Sequence, residues 1–278
     1  MGIIDFRFRP NTAETVDGIK NSAMFKDLCG AIGFDRMKAQ SLDEIIAGLR
    51  KNKVERAVIT GRDCETTYGS ASNNPSVEAF VAACPELFVG FWGVDPHKGM
   101  SGLRALSEAV AQRGFKGAAI DPYLAKIPAS EARFYPFYAK CCELGIPVVV
   151  TTGPASFVPG AVIEHVAPRH IDTAARDFPE LRIIVSHGAY PWVGEMIMVA
   201  QRNRNVFLEI SEYERFPQSE AYVQAANTII PDKLLFASAH PFVDYRDAIA
   251  TYKELPFTDA VRPKVMRDNA AGILASLP

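Results

Sequence analysis

The chain has 278 residues, of which 48% are hydrophobic and 22% are charged. This composition is typical of a folded globular protein and excludes a disordered chain, and the length suits one large α/β domain. Thirty basic and thirty-two acidic side chains leave a formal net charge of −2. No strong field of one sign therefore indicates nucleic acid or a membrane surface as a partner.

The amino-terminal sequence MGIIDFRFRP lacks the basic and apolar regions of a signal peptide, and no apolar run is long enough to cross a bilayer. The cysteines form no CxxC pair, which favours reduced thiols over a disulfide framework or a thiolate metal site; they are Cys29, Cys64, Cys84, Cys141 and Cys142. We therefore predict a cytoplasmic location.

Short apolar runs alternate with amphipathic stretches, the pattern of a parallel sheet covered by helices. The predicted strands are Ile3–Phe8, Arg56–Thr60, Phe88–Val94, Gly117–Asp121, Pro147–Thr151, Arg182–His187, Val206–Ser211 and Leu234–Ala239. The predicted helices are Leu42–Lys51, Pro75–Ala83, Gly102–Gln112, Ser130–Glu143, Ile171–Phe178, Pro191–Gln201, Ser219–Thr228, Arg246–Leu255 and Asp259–Leu277. Eight such units, with no glycine-rich dinucleotide fingerprint after any strand, predict a (β/α)8 TIM barrel formed as one domain by residues 1–278.

Two connections are long for a barrel of this kind. Arg9–Gln40 follows the first strand and Gly61–Asn74 follows the second. Both lie on the side where the strands end, which is the functional face of such barrels. We predict that they form a lid or part of a subunit contact.

Four segments and a tail carry motifs. They are Ile4–Arg9, Pro147–Gly153, Ile171–Gly188, Leu235–Pro241 and the tail Arg267–Ala271. Together they resemble the amidohydrolase-related family, which includes aminocarboxymuconate-semialdehyde decarboxylases, aromatic-acid decarboxylases and lactonases. The family's corresponding motifs are Asp followed by His-x-His, a strand ending in His-Thr-Gly, a strand ending in a retained histidine, Phe-Gly-Ser-Asp-x-Pro, and a closing Gly-Asn-Ala helix. The resemblance spans essentially the whole chain and implies an amidohydrolase-like barrel and a homo-oligomer.

The resemblance also implies a metal site held by four histidines and one aspartate. The matching positions in this chain are Arg7, Arg9, Thr151, His187 and Ala239. A guanidinium group has no lone pair to offer a cation, and a single histidine cannot hold zinc in a four-coordinate site. We therefore predict that the divalent-metal site is lost and that the chain has no cofactor.

Strand parity predicts which side chains face the barrel interior, because residues two apart point to the same side. Asp5, Arg7 and Arg9 are expected to face inward, and Ile4, Phe6 and Phe8 to face the helices. The alternation along the other strands predicts that further polar side chains also face inward. The group expected at the catalytic end is Arg7, Arg9, Arg62, Asp121, Thr151, His187, Glu209, Ser211 and His240.

The central hypothesis is that Arg7 and Arg9 form a positive pocket for a small anionic molecule, because their forked donors match a carboxylate. The other predicted substrate-binding residues are Arg62, Thr151, Ser211 and His240. His187 is the first candidate for acid–base catalysis. Glu209 and Asp121 follow it.

These residues predict a metal-independent, lactonase-like hydrolase that acts on a small carboxylated substrate. A carboxy-lyase or lactone isomerase is the first alternative. A second is a catalytically silent barrel that binds a small anion or acts as a subunit partner. Separately, Arg7 and Arg9 could pair with Glu209 and Asp121 in a buried ion network, with or without a catalytic function. A third is a metal enzyme whose ligands are rebuilt from His187, Glu209, Asp121 and His240.

Overall fold

Eight parallel strands pair in chain order in the computed structural model, which describes residues 2–153 and 158–278. They are β1 Ile3–Asp5, β2 Val54–Thr60, β3 Phe88–Gly93, β4 Gly117–Ile120, β5 Val148–Thr151, β6 Ile183–Ser186, β7 Val206–Glu209 and β8 Leu234–Leu235. The Phe6 amide donates to the Phe236 carbonyl oxygen over 2.9 Å, which links the β8 end of the sheet back to β1. The predicted (β/α)8 barrel is confirmed.

Thirteen α-helices lie between and after the strands in the described part of the chain. They are α1 Ala13–Lys20, α2 Lys26–Ile32, α3 Leu42–Lys51, α4 Glu65–Tyr68, α5 Asn74–Ala83, α6 Gly99–Gln112, α7 Pro122–Ala125, α8 Tyr135–Leu144, α9 Pro168–Asp177, α10 Val193–Arg202, α11 Glu220–Thr228, α12 Tyr245–Glu254 and α13 Asn269–Ala275. Within the described part of the chain, no helix is long and apolar enough to span a bilayer. All five cysteines carry free thiols.

The barrel interior is filled by apolar side chains from alternate strand positions. They are Ile4, Phe6, Val58, Val89, Phe91, Ala119, Val149, Ile184 and Leu235, joined by Ala270 and Ile273 of α13. Because α13 packs into this cluster, it closes the end at which the strands begin. Arg182, directly before β6, donates to the Ile273 carbonyl oxygen over 3.3 Å at that end. The polar residues at the opposite end are therefore the ones that can meet a ligand.

The parity prediction for the first strand is wrong for its first half. Ile4 and Phe6 pack into the interior, whereas Phe8 packs outward against the helices. The strand ends at Asp5, whose carboxylate accepts a 3.0 Å hydrogen bond from the Arg7 amide, and this turn resets the alternation. The Asp5 carboxylate also accepts from the Ser238 amide, so it fastens the end of β1 to the segment after β8. Arg7 still reaches the mouth of the barrel.

The long connection after β1 folds over the mouth. It contains α1 and α2, although the sequence predicts no helix there, and we call residues 12–36 the lid segment. Its buried side chains Val16, Phe25 and Phe34 belong to one apolar cluster with Tyr123 and Leu124 of α7. Since α7 directly follows β4, this cluster places the lid segment across the ends of the strands.

Candidate active site

Two buried arginines occupy the mouth of the barrel. The Arg7 Nη1 atom donates to the Thr151 hydroxyl at the end of β5 over 3.4 Å. The Arg9 Nη2 atom donates to the Thr60 hydroxyl at the end of β2 over 3.2 Å. Arg7 is 3% exposed and Arg9 is 6% exposed. Threonine hydroxyls orient these guanidinium groups but leave their charges uncompensated.

Arg7 and Arg9, unlike Arg62, have no ion pair among the described residues. Among the residues that the structure describes, Arg62 is the mouth arginine with an ion pair, between its Nε and the Asp121 Oδ2 atom at 3.6 Å. Neither Arg7 nor Arg9 has a carboxylate oxygen within 4.0 Å in that part of the chain, so the predicted pairing with Glu209 and Asp121 is not formed there. Burial lowers the pKa of Arg9, and the charges of Arg62 and Arg7 lower it further. Buried cations without a partner are costly, so this mouth favours an anion.

His187 lies at the end of β6 in a backbone conformation with a φ of 67°. Its Nδ1 atom is 2.8 Å from the Ser211 carbonyl oxygen and 3.2 Å from the Ser211 hydroxyl. A carbonyl oxygen only accepts, so Nδ1 carries the proton and the lone pair is on Nε2. Burial and the nearby Arg7 charge lower the pKa of His187 well below its ordinary value. The ring is therefore neutral and offers Nε2 as an acceptor.

Glu209 at the end of β7 holds the neighbouring residues in place. Its carboxylate accepts hydrogen bonds from the Ser186 hydroxyl, from the His187 amide at 3.1 Å and from the Ser211 amide at 2.7 Å. These bonds fix the chain on both sides of the imidazole. We therefore assign Glu209 a positioning role, because its oxygen atoms are already occupied by backbone and hydroxyl donors.

Glu212 is a functional candidate that sequence reasoning missed. Its Oε2 atom is 3.7 Å from the His187 Nδ1 atom, and its side chain is 16% exposed. Burial raises the pKa of Glu212 to about 7, although the Arg7 charge opposes this shift. Alternation from Glu209 places residue 212 outward, but its φ of 72° turns it back. The available signal was an acidic residue one position after a predicted strand at the catalytic end.

Two further polar groups lie on the β4 side of the mouth. The Asp121 Oδ1 atom and the Tyr123 hydroxyl are buried and have no hydrogen-bond partner in the described residues. The Arg62 guanidinium, which pairs with Asp121, also lies over the Phe25 ring of the lid segment at 4.9 Å. This side of the mouth therefore offers unsatisfied polar atoms beside an aromatic wall.

His240 lies apart from this group. Its ring stacks on Phe8 with centroids 4.8 Å apart and meets Tyr245 edge-on, both on the outer side of the barrel. Its Nε2 atom is 3.1 Å from the Asn11 side-chain oxygen. These contacts assign His240 to packing between the barrel and the connection after β1, and the ligand set His187, Glu209, Asp121 and His240 is not brought together.

The sequence matches a family model described as Amidohydrolase over residues 28–275. The chain belongs to the amidohydrolase family. A comparison with curated proteins finds no match. Membership agrees with the resemblance found in the sequence and with the barrel described above.

Solved structures similar to this amidohydrolase-family chain share its fold. An uncharacterized TIM-barrel protein from Bordetella bronchiseptica is 27% identical, with 99% of each chain covered and a TM-score of 0.81. A dihydroxybenzoic acid decarboxylase from Polaromonas is 18% identical, with 99% of this chain and 97% of that chain covered and a TM-score of 0.67. A 5-carboxyvanillate decarboxylase from Novosphingobium aromaticivorans is 15% identical, with coverages of 99% and 96% and a TM-score of 0.71.

The prediction that the chain has no cofactor is contradicted by these structures. The Polaromonas decarboxylase contains bound manganese and 2-nitroresorcinol, and the Novosphingobium enzyme contains manganese and 4-hydroxy-3-methoxy-5-nitrobenzoic acid. Across residues 2–153 and 158–278 of this amidohydrolase-family chain, however, no three His, Cys, Asp or Glu side chains are grouped so as to hold a metal ion. The described side chains therefore do not fit a conventional metal centre, and we assign no ligands.

Proposed function

We propose that the chain is a carboxy-lyase that removes a carboxyl group from a small carboxylated substrate at the barrel mouth. The observation that carries this proposal is a buried Arg7 with no carboxylate oxygen within 4.0 Å among the described residues, in the same mouth as a neutral His187 and a protonatable Glu212. The decarboxylases among the structures of the same fold favour this activity over the lactonase-like hydrolase that the sequence suggested.

Arg7 binds and orients the substrate. Its forked donors suit a carboxylate or a phenolic oxygen, and Thr151 fixes the guanidinium through the 3.4 Å hydrogen bond. The neutral His187 ring accepts a hydrogen bond from a substrate hydroxyl at Nε2. The charges of Arg9 and Arg62 add to the attraction of the mouth for the anionic substrate.

Glu212 supplies the proton in this scheme. Its carboxyl group donates a proton to the substrate carbon that bears the carboxylate, and the bond to that carboxylate then breaks. The electron pair of the broken bond stays on the protonated carbon, carbon dioxide leaves, and solvent reprotonates Glu212. An acid whose pKa lies near the working pH is suited to this transfer. We assign no step to a metal, because the described residues offer no ligand group for one.

The test is release of carbon dioxide from a panel of aromatic carboxylates, including 2,6-dihydroxybenzoate and 5-carboxyvanillate, with and without added manganese. We expect turnover of at least one member, and the metal content of the purified protein is measured in parallel. Lactones are assayed in the same conditions. Lactone hydrolysis without any carbon dioxide release would refute the proposal and favour the hydrolase.

A further inference from the structure

A cavity of about 540 Å³ opens beside the barrel mouth, between the lid segment and the connection after β2. We call it the side cavity. A void of about 150 Å³ is enough to hold a benzene ring, and binding pockets for small molecules span roughly 300–1,000 Å³. The side cavity is therefore larger than a single-ring carboxylate requires.

The walls of the side cavity are apolar at depth and polar toward the solvent. Phe25, Phe80, Phe242 and Ile59 contribute apolar surface, and Met24 of the lid segment adds to it. Serine and asparagine side chains lie among the remaining lining residues, at positions 21, 22, 70, 72, 73 and 76. Such a lining suits a molecule whose apolar body lies deep in the cavity and whose outer end contacts water.

Arg9 and Arg62 connect the side cavity to the mouth, because both line the cavity and both lie close enough to the mouth for their charges to interact there. The Arg9 Nε atom is buried and has no hydrogen-bond partner in the described residues. A buried N–H donor without an acceptor destabilises the folded chain, and an oxygen atom of a bound ligand would accept its hydrogen bond. The cavity therefore begins at a cationic wall and extends away from it along apolar side chains.

A carboxylate at the outer rim restricts the charge that a bound molecule can carry at its far end. Glu14 of α1 lies on the rim, and its Oε1 atom accepts a 2.7 Å hydrogen bond from the Ser76 hydroxyl of α5. This bond ties the lid segment to α5 across the opening. The Glu14 carboxylate disfavours a second anionic group at the far end of a bound molecule.

We propose that the side cavity binds the apolar body of the substrate, and that the substrate is an amphipathic monocarboxylate larger than one ring. This rests on the proposed function in taking the carboxylate to lie at Arg7. The apolar body would extend past Arg9 and Arg62 into the side cavity, with its far end near the polar rim. A substrate of this shape would contact both the unpaired cations, Arg7 and Arg9, and the apolar wall of the side cavity.

The experiment is isothermal titration calorimetry of the full chain with two carboxylates, benzoate and 4-butylbenzoate. We expect 4-butylbenzoate to bind roughly tenfold to a hundredfold more tightly, because each buried methylene group adds to affinity. Ala23→Trp and Ala71→Trp each fill the cavity from an exposed lining position and should abolish this advantage. Ala79→Trp, on the exposed side of α5 and outside the lining, is the matched control and should retain it.

Equal affinities of the unmodified chain for the two carboxylates would overturn the inference, as would an advantage that survives both tryptophan substitutions. Absence of binding by both ligands overturns it as well. The result is separable from the proposed function, since it is a binding measurement. A preserved advantage of 4-butylbenzoate without carbon dioxide release from any carboxylate would support the side-cavity site and reject the carboxy-lyase.

Discussion

The chemistry of the mouth depends on single side chains that strand position alone only partly predicts. Arg7, Thr151 and His187 lie where the predicted strand ends put them, because parallel strands deliver their last residues to one rim. Glu212 was missed because a left-handed backbone turn breaks the alternation on which the prediction depended. His240 lies five residues after β8, which ends at Leu235. The alternation of side chains along a strand therefore does not predict the direction of His240.

The first residue-scale prediction concerns Arg7. Replacing it by methionine in Arg7→Met removes a charged donor pair while keeping a long apolar side chain. We expect the KM for a carboxylated substrate to rise roughly tenfold to a hundredfold, as losing a charge-assisted hydrogen bond costs about 1.5–3 kcal/mol. Steady-state kinetics measures the effect. Arg50→Met, at an exposed arginine paired with Glu86, should leave KM unchanged, and an unchanged KM in Arg7→Met would rule out the substrate-binding role.

The second residue-scale prediction concerns Glu212. A proton donor must be protonated, and burial raises the pKa of Glu212 to about 7, so turnover should be full below pH 7 and should fall as the pH rises through 7. Glu212→Gln should lower kcat roughly 10²-fold to 10⁴-fold and remove this limb of the pH profile.

Kinetics from pH 5.5 to 8.5 measures both effects. Glu254→Gln, at an exposed glutamate that pairs with Arg215, is the matched control and should change neither kcat nor the profile. A Glu212→Gln variant that keeps the limb at pH 7 would assign that ionisation to another group.

Among the secondary-structure elements, the hydrophobic periodicity predicts helix boundaries best where capping residues agree with it. The structure begins α3 at Leu42, as predicted, because Ser41 and Glu44 form a reciprocal capping box. It places α1 and α2 in a stretch predicted as loop. Both are short and carry internal glycines at Gly18 and Gly30, which weakens their intrinsic helix preference. Their burial against α7 is a tertiary contact that the local pattern does not encode.

The capping box gives the prediction at this scale. The Ser41 hydroxyl accepts a 3.3 Å hydrogen bond from the Glu44 amide, and the Glu44 carboxylate accepts a 2.8 Å hydrogen bond from the Ser41 amide. Ser41→Ala removes the first of these and should lower the free energy of unfolding by about 1 kcal/mol. Urea denaturation measures it. Ser41→Asp restores a capping oxygen and should unfold near the urea midpoint of the unmodified chain. An equal loss of stability in both variants would show that the capping hydrogen bond does not stabilise α3.

At the scale of the whole molecule, buried carboxyl groups link stability to pH. Burial raises the pKa of Asp5 and of Glu212 to about 7, and that of Glu214 to about 8. The folded chain therefore holds protons that the unfolded chain releases near pH 4, so the free energy of unfolding falls progressively from about pH 4 until these groups ionise in the folded chain at pH 7 to 8. Burial lowers the pKa of His240 to about 4 and that of His187 well below its ordinary value, an opposite effect that tapers off above the unfolded pKa of about 6.5.

The free energy of unfolding should thus decrease between pH 6.5 and pH 8. Each proton contributes up to about 1.4 kcal/mol per pH unit, and urea denaturation at the two pH values measures the sum. Asp5→Asn keeps an oxygen for the Arg7 and Ser238 amides but cannot ionise, so it should flatten the slope. A stability that rises over this interval would show that these carboxyl groups are already ionised in the folded chain.

The lid segment is one continuous stretch of chain, whereas the arginines and His187 sit on the strand ends beneath it. One wall of the side cavity is thus encoded separately from the residues proposed to react. Under the side-cavity proposal, exchanging residues 12–36 for those of a relative would alter one wall of the cavity and leave the reacting residues unchanged. Such an exchange would change the preference for the substrate's apolar body without changing the type of reaction.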